Sequence, residues 1–277
     1  MYSFVVDNGM LDFAKADTKS FIGVNDRTFA YERISQLDKC YTEVFNPSEN
    51  PGAYLTRPSQ PGMYSLEYLN HYGIRHNTSP GASYQDAGFW AQNMFCAQKV
   101  RYLAKDCYWV RRDNEASSEL DTSKLFTICD EFAFVYRRIG EIDGINKEAC
   151  YRAISKFAAS SYDWNLFRLK DEDRKPFIAR YSKAFNVLAS RNQIDWSLFD
   201  EYETNILKMI IEHPDAYYYR QFFFAKDFDD SYQVIQQQNA TIDKLKQENA
   251  ALRQELENVY QSKRYKIGSK IAHLGGR

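Results

Sequence analysis

The stretch TSPGASYQDAGFW, residues 78–90, decides the fold because a Pro-Gly turn leads directly into a helical pattern of apolar residues. Ser83 and Asp86 stand three residues apart just before that pattern, a spacing typical of side chains that cap a helix N-terminus. A carboxylate in this position can also stand at the rim of a site and accept a proton. The residues alone leave both interpretations of Asp86 open.

Short strand and helix patterns alternate on both sides of this stretch. DFAKADTKSFIG (12–23) and KVRYLAKDCYWVRR (99–112) alternate apolar and polar residues and predict strands. SLEYLNHYGI (65–74) and DAGFWAQNMFCAQ (86–98) predict helices. We therefore expect residues 1–120 to form a mixed α/β domain.

The apolar spacing changes after residue 120. Residues 121–230 repeat apolar side chains at three and four, which predicts an all-helical extension. Residues 231–262 carry an a/d heptad seam with Asn249 at an a position, as in parallel two-stranded coiled coils. A helix folded against its own domain is the alternative. The residues predicted to make the dimer contacts are Ile235, Ile242, Leu245, Asn249, Leu252 and Leu256.

The last segment, residues 263–277, contains five Lys/Arg and no acidic residue. A basic amphipathic end of this kind predicts contact with an anionic membrane surface, and a frayed, solvated terminus is the alternative. The whole chain has a formal charge of only −1, so no basic field predicts nucleic-acid binding. A basic-zipper protein is also unlike this chain, because here the basic residues follow the heptads rather than lead into them.

Several classes of protein are excluded by what the sequence lacks. No P-loop, dinucleotide fingerprint, HExxH or GxSxG motif occurs, and the four histidines are not spaced with cysteines as zinc ligands. Five cysteines without a CxxC pair, and no signal peptide, predict a reduced cytoplasmic protein. No apolar run of about 18 residues is present to cross a bilayer.

Three blocks in order resemble the acceptor-side half of bacterial family 2 glycosyltransferases of the GT-A type. They are NHYGIRHNTSPGASYQDAGFW (70–90), KVRYLAKDCYWVRRDNEASS (99–118) and LFTICDEF (125–132). The resemblance is close over residues 60–135 and loose over 1–60, and the tail ending VYQSKRYKIGSKI resembles C-terminal extensions of such enzymes. It implies inverting transfer of a sugar from a nucleotide sugar to a cell-surface glycan acceptor.

The resemblance also implies roles for individual residues. Asp86 stands where the family has its catalytic base, and Gln85 stands where many relatives have Glu, which implies a positioning role. The block RRDNEASS resembles the segment that lies over the donor diphosphate and the acceptor. Planar guanidinium groups suit phosphate there, and hydrogen-bonding side chains follow them. The residues predicted to bind substrate are Gln85, Arg111, Arg112, Asp113, Asn114, Ser117 and Ser118.

The donor side of the family pattern is missing from this sequence. The family implies Mg²⁺ or Mn²⁺ on the diphosphate, held by a D-x-D element that should precede these blocks. Two lookalikes, Asp171-Glu172-Asp173 in a charged linker and Asp227-Phe228-Asp229 before the heptads, fall outside the family order, so no residue is assigned to metal. We expect a chain that lacks its nucleotide-binding half and has little activity alone.

The sequence thus predicts a partial GT-A-like α/β fold with a mixed sheet and flanking helices, then an all-helical extension and a C-terminal coiled-coil helix. The predicted boundaries are 1–120, 121–230, 231–262 and 263–277. The expected protein is cytoplasmic, peripheral on the inner face of the plasma membrane, and homodimeric. The rival interpretation is a non-catalytic dimer that binds a glycan or a partner enzyme during assembly.

Overall fold

The structure, a computed structural model, describes most of the chain in two units. The compact unit is Met1–Tyr218 and the second unit is Tyr219–Arg277. The described residues are 1–56, 60–78, 84–114 and 124–274, without the side chains of 225–236 and 270–274.

The compact unit contains four strands and nine α-helices among its described residues. The strands are β1 (Phe13–Ile22), β2 (Thr28–Glu32), β3 (Gly62–Tyr64) and β4 (Val100–Arg111). The helices are α1 (Tyr2–Asp7), α2 (Lys39–Thr42), α3 (Leu66–His71), α4 (Gln85–Cys96), α5 (Thr127–Glu141), α6 (Lys147–Arg168), α7 (Asp171–Ser190), α8 (Glu201–Glu212) and α9 (Pro214–Tyr218). Short 3₁₀ turns lie at Pro47–Glu49, Pro51–Leu55 and Trp196–Leu198.

Strand β1 is the centre of a mixed sheet. On one edge it pairs in parallel with β4, from Phe13 opposite Val100 to Phe21 opposite Arg111. On its other edge the first half pairs antiparallel with β3 and the second half antiparallel with β2. The chain returns from β1 to its parallel neighbour through α4, a crossover that parallel pairing requires.

Two aspartates accept backbone hydrogen bonds, one at each end of the parallel β1–β4 pair. At its start, Asp12 Oδ2 accepts hydrogen bonds from Gln98 N at 2.8 Å and Lys99 N at 2.9 Å. At its end, Asp113 Oδ2 accepts a hydrogen bond from Gly23 N at 3.0 Å. The register of β1 against β4 is therefore fixed by side chains at both ends as well as by the strand ladder.

Both faces of β1 are covered, so polar side chains are buried within it. Lys15 is fully buried, with Nζ donating to Thr56 O at 2.9 Å and standing 3.8 Å from the centre of the Trp90 ring. Asp17 is also buried and accepts hydrogen bonds from the Tyr31 and Tyr41 hydroxyls. Buried charges are stable only with such partners.

Helix α4 is buried along most of its length and joins the sheet to the helices. Trp90, Ala91 and Met94 are inaccessible to solvent and pack under β1. The side chain of Gln92 donates to Arg75 O at 2.8 Å and accepts from Arg138 Nε on α5 at 3.2 Å. The start of α4 is therefore held between the sheet and α5.

The helices α5 to α8 enclose a second core, built largely of aromatic rings. The Tyr162 ring on α6 lies 4.9 to 5.9 Å from the rings of three residues on α7 and 5.7 Å from Phe132 on α5. The three partners on α7 are Phe177, Tyr181 and Phe185. The helical pattern predicted for residues 121–230 is found in these elements.

The second unit is largely one long helix. A π turn at Tyr219–Phe223 leads into α10 (Phe224–Gln261), and α11 (Lys263–Leu274) follows. The 38 residues of α10 span about 57 Å. Its described seam residues Ile242, Leu245, Leu252 and Leu256 are exposed, while Ile235 lies outside the described side chains. The dimer that the heptads predict stays a prediction.

The element predictions hold, with one correction of position. The strand at 12–23 is β1, and the helix at 65–74 is α3, followed by Gly73 with a φ of +60°. The acidic triplet Asp171-Glu172-Asp173 was expected in a linker, and this was wrong, because it forms the first turn of α7. Acidic residues are favourable at a helix N-terminus, which explains the position. The predicted domain boundaries stay predictions.

Candidate functional site

The start of α4 is formed by an unusual backbone at Tyr84. This residue is the N-cap and has φ +66° and ψ 0°, the left-handed region that side chains other than glycine rarely adopt. Its side chain makes no capping hydrogen bond with the helix. Strained backbone of this kind is retained where surrounding contacts hold it, often at functional sites.

Asp86 lies in the first turn of α4 and is exposed to solvent. Its Oδ1 accepts a hydrogen bond from the adjacent Ala87 N at 3.0 Å. Asp86 is the second residue of α4, and the N-cap itself is Tyr84, while Ser83 lies outside the described residues. A carboxylate in a first helical turn is stabilised in its ionised form by the helix dipole. Asp86 therefore has the position and the access that a proton acceptor needs.

Glu131 lies behind this turn, and sequence reasoning did not assign it a role. It is only 1% exposed and approaches the backbone of α4 at Gly88, where a Cβ atom would overlap Oε1 and stand 2.8 Å from Cδ. Its Oε2 accepts a hydrogen bond from Asn77 Nδ2 at 2.9 Å. Burial raises the pKa of Glu131 to about 7, and the charge of Asp86 adds to that increase, whereas Asn77 and the Gly88 N–H oppose it.

His76 and Gln85 cover the side of the same turn. The His76 ring stacks on Phe89, with centroids 4.4 Å apart and planes at 13°. Its Nδ1 lies 3.2 Å from Gln85 O, so the imidazole contacts the first backbone carbonyl of α4. Gln85 thus stands beside Asp86 in the first turn, in agreement with a positioning role, which remains a prediction.

Helix α6 reaches the site through Tyr84. The Tyr84 hydroxyl is hydrogen-bonded to Asn165 Oδ1 and accepts from Arg168 Nη1 at 2.9 Å. The Arg168 guanidinium lies 4.1 Å from the centre of the Trp164 ring, whose side chain is partly exposed. The helical part of the chain therefore contacts Tyr84, which precedes Asp86 by two residues, through a side chain and a guanidinium group of α6.

The predicted substrate-binding residues that follow β4 form a different group, at the end of the β1–β4 pair. Arg111 Nε is 2.9 Å from Asp113 Oδ1, and Arg112 Nη2 is 2.8 Å from Glu32 Oε2 on β2. The hydrogen bond from Arg111, together with the one from Gly23 N, lowers the pKa of Asp113. Both ion pairs are exposed, so solvent weakens them and their side chains are able to exchange partners.

The structure does not bring the two groups into contact. Asp86 makes no hydrogen bond or ion pair with Arg111, Arg112 or Asp113 among the contacts of the described residues. Asn114 is described at the end of this segment, whereas Ser117 and Ser118 lie outside the described residues. The structure therefore leaves the substrate roles of this segment as predictions.

The described residues do not fit the divalent cation that the family resemblance implies. Within the described ranges, no cluster of three His, Cys, Asp or Glu side chains is arranged to hold a metal ion. Asp171, in one D-x-D lookalike, forms an ion pair with Arg174, and the side chains of Asp227 and Asp229 are outside the description. No step proposed below passes through a metal.

Sequence reasoning missed Glu131 and Asn77, although a signal was available. Glu131 is the second of the two acidic residues in LFTICDEF, and it falls on the buried side of α5 with Ile128, Phe132 and Val135. An acidic residue on the apolar side of a helix indicates a buried polar contact. Its partner Asn77 is 54 residues away, so only the folded chain identifies the pair.

Among the described residues, no helix is long and apolar enough to cross a bilayer. Neither a family model nor a curated protein matches this sequence. Solved structures of residues 1–349 of TarS from S. aureus do resemble the chain in fold. The complex of TarS with UDP-GlcNAc gives a TM-score of 0.58, and its complex with UDP gives 0.53.

The two matches have 13% identity and cover 82% of this chain. The chain spans 62% of the first TarS structure and 61% of the second. At this identity the likeness shows the fold alone, and TarS is a glycosyltransferase. The chain therefore has a glycosyltransferase-like fold, with an exposed carboxylate at the start of its central helix.

Proposed function

We propose that the chain is the acceptor-side part of an inverting glycosyltransferase, with Asp86 as its general base. The observation that carries the proposal is Asp86 itself, an exposed carboxylate in the first turn of the helix at the centre of a glycosyltransferase-like fold. The donor is a nucleotide sugar, which is supported by the UDP-GlcNAc bound to TarS. The acceptor is a hydroxyl of a cell-surface glycan.

In the proposed reaction Asp86 removes the proton from the acceptor hydroxyl as that oxygen attacks the anomeric carbon of the donor. The bond between the anomeric carbon and the phosphate oxygen breaks on the opposite face, and the nucleoside diphosphate leaves with the bonding electrons. The configuration at the anomeric carbon is inverted. General base catalysis needs a carboxylate within hydrogen-bond reach of the hydroxyl, and the exposure of Asp86 gives the acceptor that access.

The segment after β4 is proposed to bind the donor diphosphate and the acceptor. Arg111 and Arg112 exchange their exposed partners Asp113 and Glu32 for phosphate oxygens, which planar guanidinium groups bind well. Gln85, Asn114, Ser117 and Ser118 are proposed to supply hydrogen bonds to the substrates. The cation on the diphosphate, Mg²⁺ or Mn²⁺, is proposed to be held by residues other than those described, so that the chain alone transfers little sugar.

A second candidate function, a non-catalytic dimeric assembly protein, is favoured by the exposed apolar seam of α10. We propose that a second copy of the chain covers this seam, with Asn249 facing Asn249 and Glu248 pairing with Arg253 of the other chain. The basic helix α11 is proposed to lie on an anionic membrane surface, with exposed Ile267 on its apolar side. The protein, as an enzyme or as a scaffold, is accordingly proposed to act at the inner face of the plasma membrane.

The variant Asp86→Asn separates the two functions. Sugar transfer is measured on the protein complex that the chain forms in cells, and this assembly is isolated through a tag on the chain. We expect the rate of sugar transfer from UDP-sugars to fall about 10²- to 10⁴-fold, because the acceptor proton loses its base. Asp130→Asn is the matched control, since Asp130 is exposed on α5 and pairs with Arg180. Unchanged transfer by Asp86→Asn would remove the base and favour the scaffold.

A further inference from the structure

The contact between α4 and α5 contains a carboxyl group that neither the helix packing nor the proposed reaction accounts for. Glu131 is buried against the start of α4 at Gly88, and its Oε1 makes no hydrogen bond of ordinary geometry among the described residues. A buried polar atom without a partner costs free energy, so its retention in an otherwise paired interior needs a reason. An apolar side chain or a shorter one would pack here without that cost.

The backbone of α4 is shaped to admit this carboxyl group. Gly88 leaves no Cβ where Oε1 lies, and any larger residue would force the two helices apart. On the far side, Asn77 Nδ2 holds Oε2 at 2.9 Å, which ties the segment before α4 to α5. Glu131 thus joins three elements around the turn that carries Asp86.

Within the part of the chain that the structure describes, no cation forms an ion pair that would balance the charge of an ionised Glu131. On α4 the charged neighbour is Asp86, which is also acidic and opposes ionisation. On α5 the candidate is Arg138, and its guanidinium donates instead to Gln92 Oε1, to the carbonyls of Tyr72 and Gly73, and to Glu141. A buried carboxylate without a cation is strongly unfavourable, so the neutral acid is the stable form.

We propose that Glu131 is a positioning residue for Asp86, and that it is a neutral acid in the resting protein. As a neutral acid it fixes Asn77 and the first turns of α4. Asp86 stands at the solvent-exposed rim of the same helix start. The positioning role rests on the proposed function of Asp86, whereas the neutral state of Glu131 does not.

The protonation of Glu131 is measured by carbon NMR of the full chain, in which the Asp and Glu carboxyl groups are labelled with ¹³C. We expect the Glu131 signal to titrate with a midpoint near 7 and to move down in Asp86→Asn by on the order of half a pH unit, since one negative charge is removed. Asp163 is the internal control. It is another carboxyl whose pKa burial raises, to about 6, without a contribution from Asp86, so its midpoint should stay fixed.

The positioning role is measured separately, by sugar transfer in the isolated assembly. Glu131→Gln imitates the neutral acid and should lower kcat at least tenfold less than Glu131→Ala, which releases Asn77 and leaves a cavity. Equal losses in the two variants would overturn the positioning role. A Glu131 midpoint between 4 and 5 would overturn the neutral acid, whatever Asp86 proves to do in catalysis. A midpoint that Asp86→Asn does not move would overturn the link between Glu131 and Asp86.

Discussion

Large apolar residues are buried in the core of the compact unit, whereas those of the seam on the long helix are exposed to solvent. In Met1–Tyr218 the aromatic cluster around Tyr162 and the apolar side of α4, with Trp90, Ala91 and Met94, are buried. Along α10 the apolar residues of the seam are open, and Leu252 is 64% exposed. Burial supplies most of the free energy of folding, so the compact unit carries its own stability, whereas the seam on α10 needs a covering surface.

The largest effect on the stability of the compact unit is expected at Tyr162. This side chain is 2% exposed and contacts four other aromatic rings. We expect Tyr162→Ala to lower the free energy of unfolding of the compact unit by about 3–5 kcal/mol, because it leaves a large cavity. Tyr202→Ala is the matched control, since that side chain on α8 is 70% exposed. Similar losses in the two variants, measured by urea denaturation, would contradict a self-sufficient core.

The second prediction concerns pH. Because the folded pKa of Glu131 is raised above its unfolded value, the stability it contributes is fully present below about pH 4.5 and lost as the pH rises through about 7. Glu131→Gln should remove this loss and stabilise the compact unit at pH 8 by about 3 kcal/mol relative to the wild type.

The control for this pH effect is Asp163→Asn, which removes the other raised carboxyl. Its stabilising effect should be complete by about pH 6, a unit lower than that of Glu131→Gln. Denaturation curves collected from pH 4 to pH 8 measure both variants. A wild-type stability that does not fall between pH 5 and 7 would contradict the buried neutral acid.

Gly88→Ala is expected to have a smaller effect, about 1–3 kcal/mol of lost stability, because the added methyl group overlaps the Glu131 carboxyl. Helix propensity alone would favour Ala over Gly by up to about 1 kcal/mol, so the sign of the effect reports the helix contact. Gly268→Ala on α11 is the control, since nothing lies within 4 Å of a Cβ there. Stabilisation by Gly88→Ala would show that α4 and α5 are less closely packed.

The smallest effect on the compact unit is expected from Leu252→Asp on the seam of α10. We expect the free energy of unfolding of the compact unit to change by less than about 0.5 kcal/mol, as for other substitutions at exposed positions. Sedimentation of the full chain should nevertheless change from dimer to monomer at micromolar concentration. Lys244→Asp, at an exposed position beside the seam, should leave the dimer intact. A wild-type monomer under these conditions would contradict the dimer.

The sequence predicted the longer regular elements of both regions, because their apolar spacing is local, but it did not predict β2, α2 or β3. The β1 strand and the helices from α3 to α8 each repeat with a period that a short window of residues reveals. The burial of Lys15 was not foreseeable, because it depends on Thr56 and Trp90, which only the fold brings to it. Contacts between distant segments are what a single sequence conceals.

The candidate site was foreseen only where the sequence carries a recognisable block. Asp86 was identified from the stretch around it, and the structure places it in the first turn of α4 as expected. The left-handed backbone of Tyr84 was not foreseen, since its partners Asn165 and Arg168 lie more than 80 residues away. The surroundings of the carboxylate, and hence its chemistry, required the structure.

The two aspartates that close the β1–β4 pair have a consequence for how the protein is made. The Asp12 bond to Gln98 N joins residues 86 apart, and the Asp113 bond to Gly23 N joins residues 90 apart. Pairing over such distances in the chain is slow because loop closure must precede it. During synthesis β2 and β3 emerge early enough to pair with β1, whereas the edge of β1 that pairs with β4 stays unpaired until the ribosome has released residues beyond Asp113. Chaperones can bind that edge during this interval.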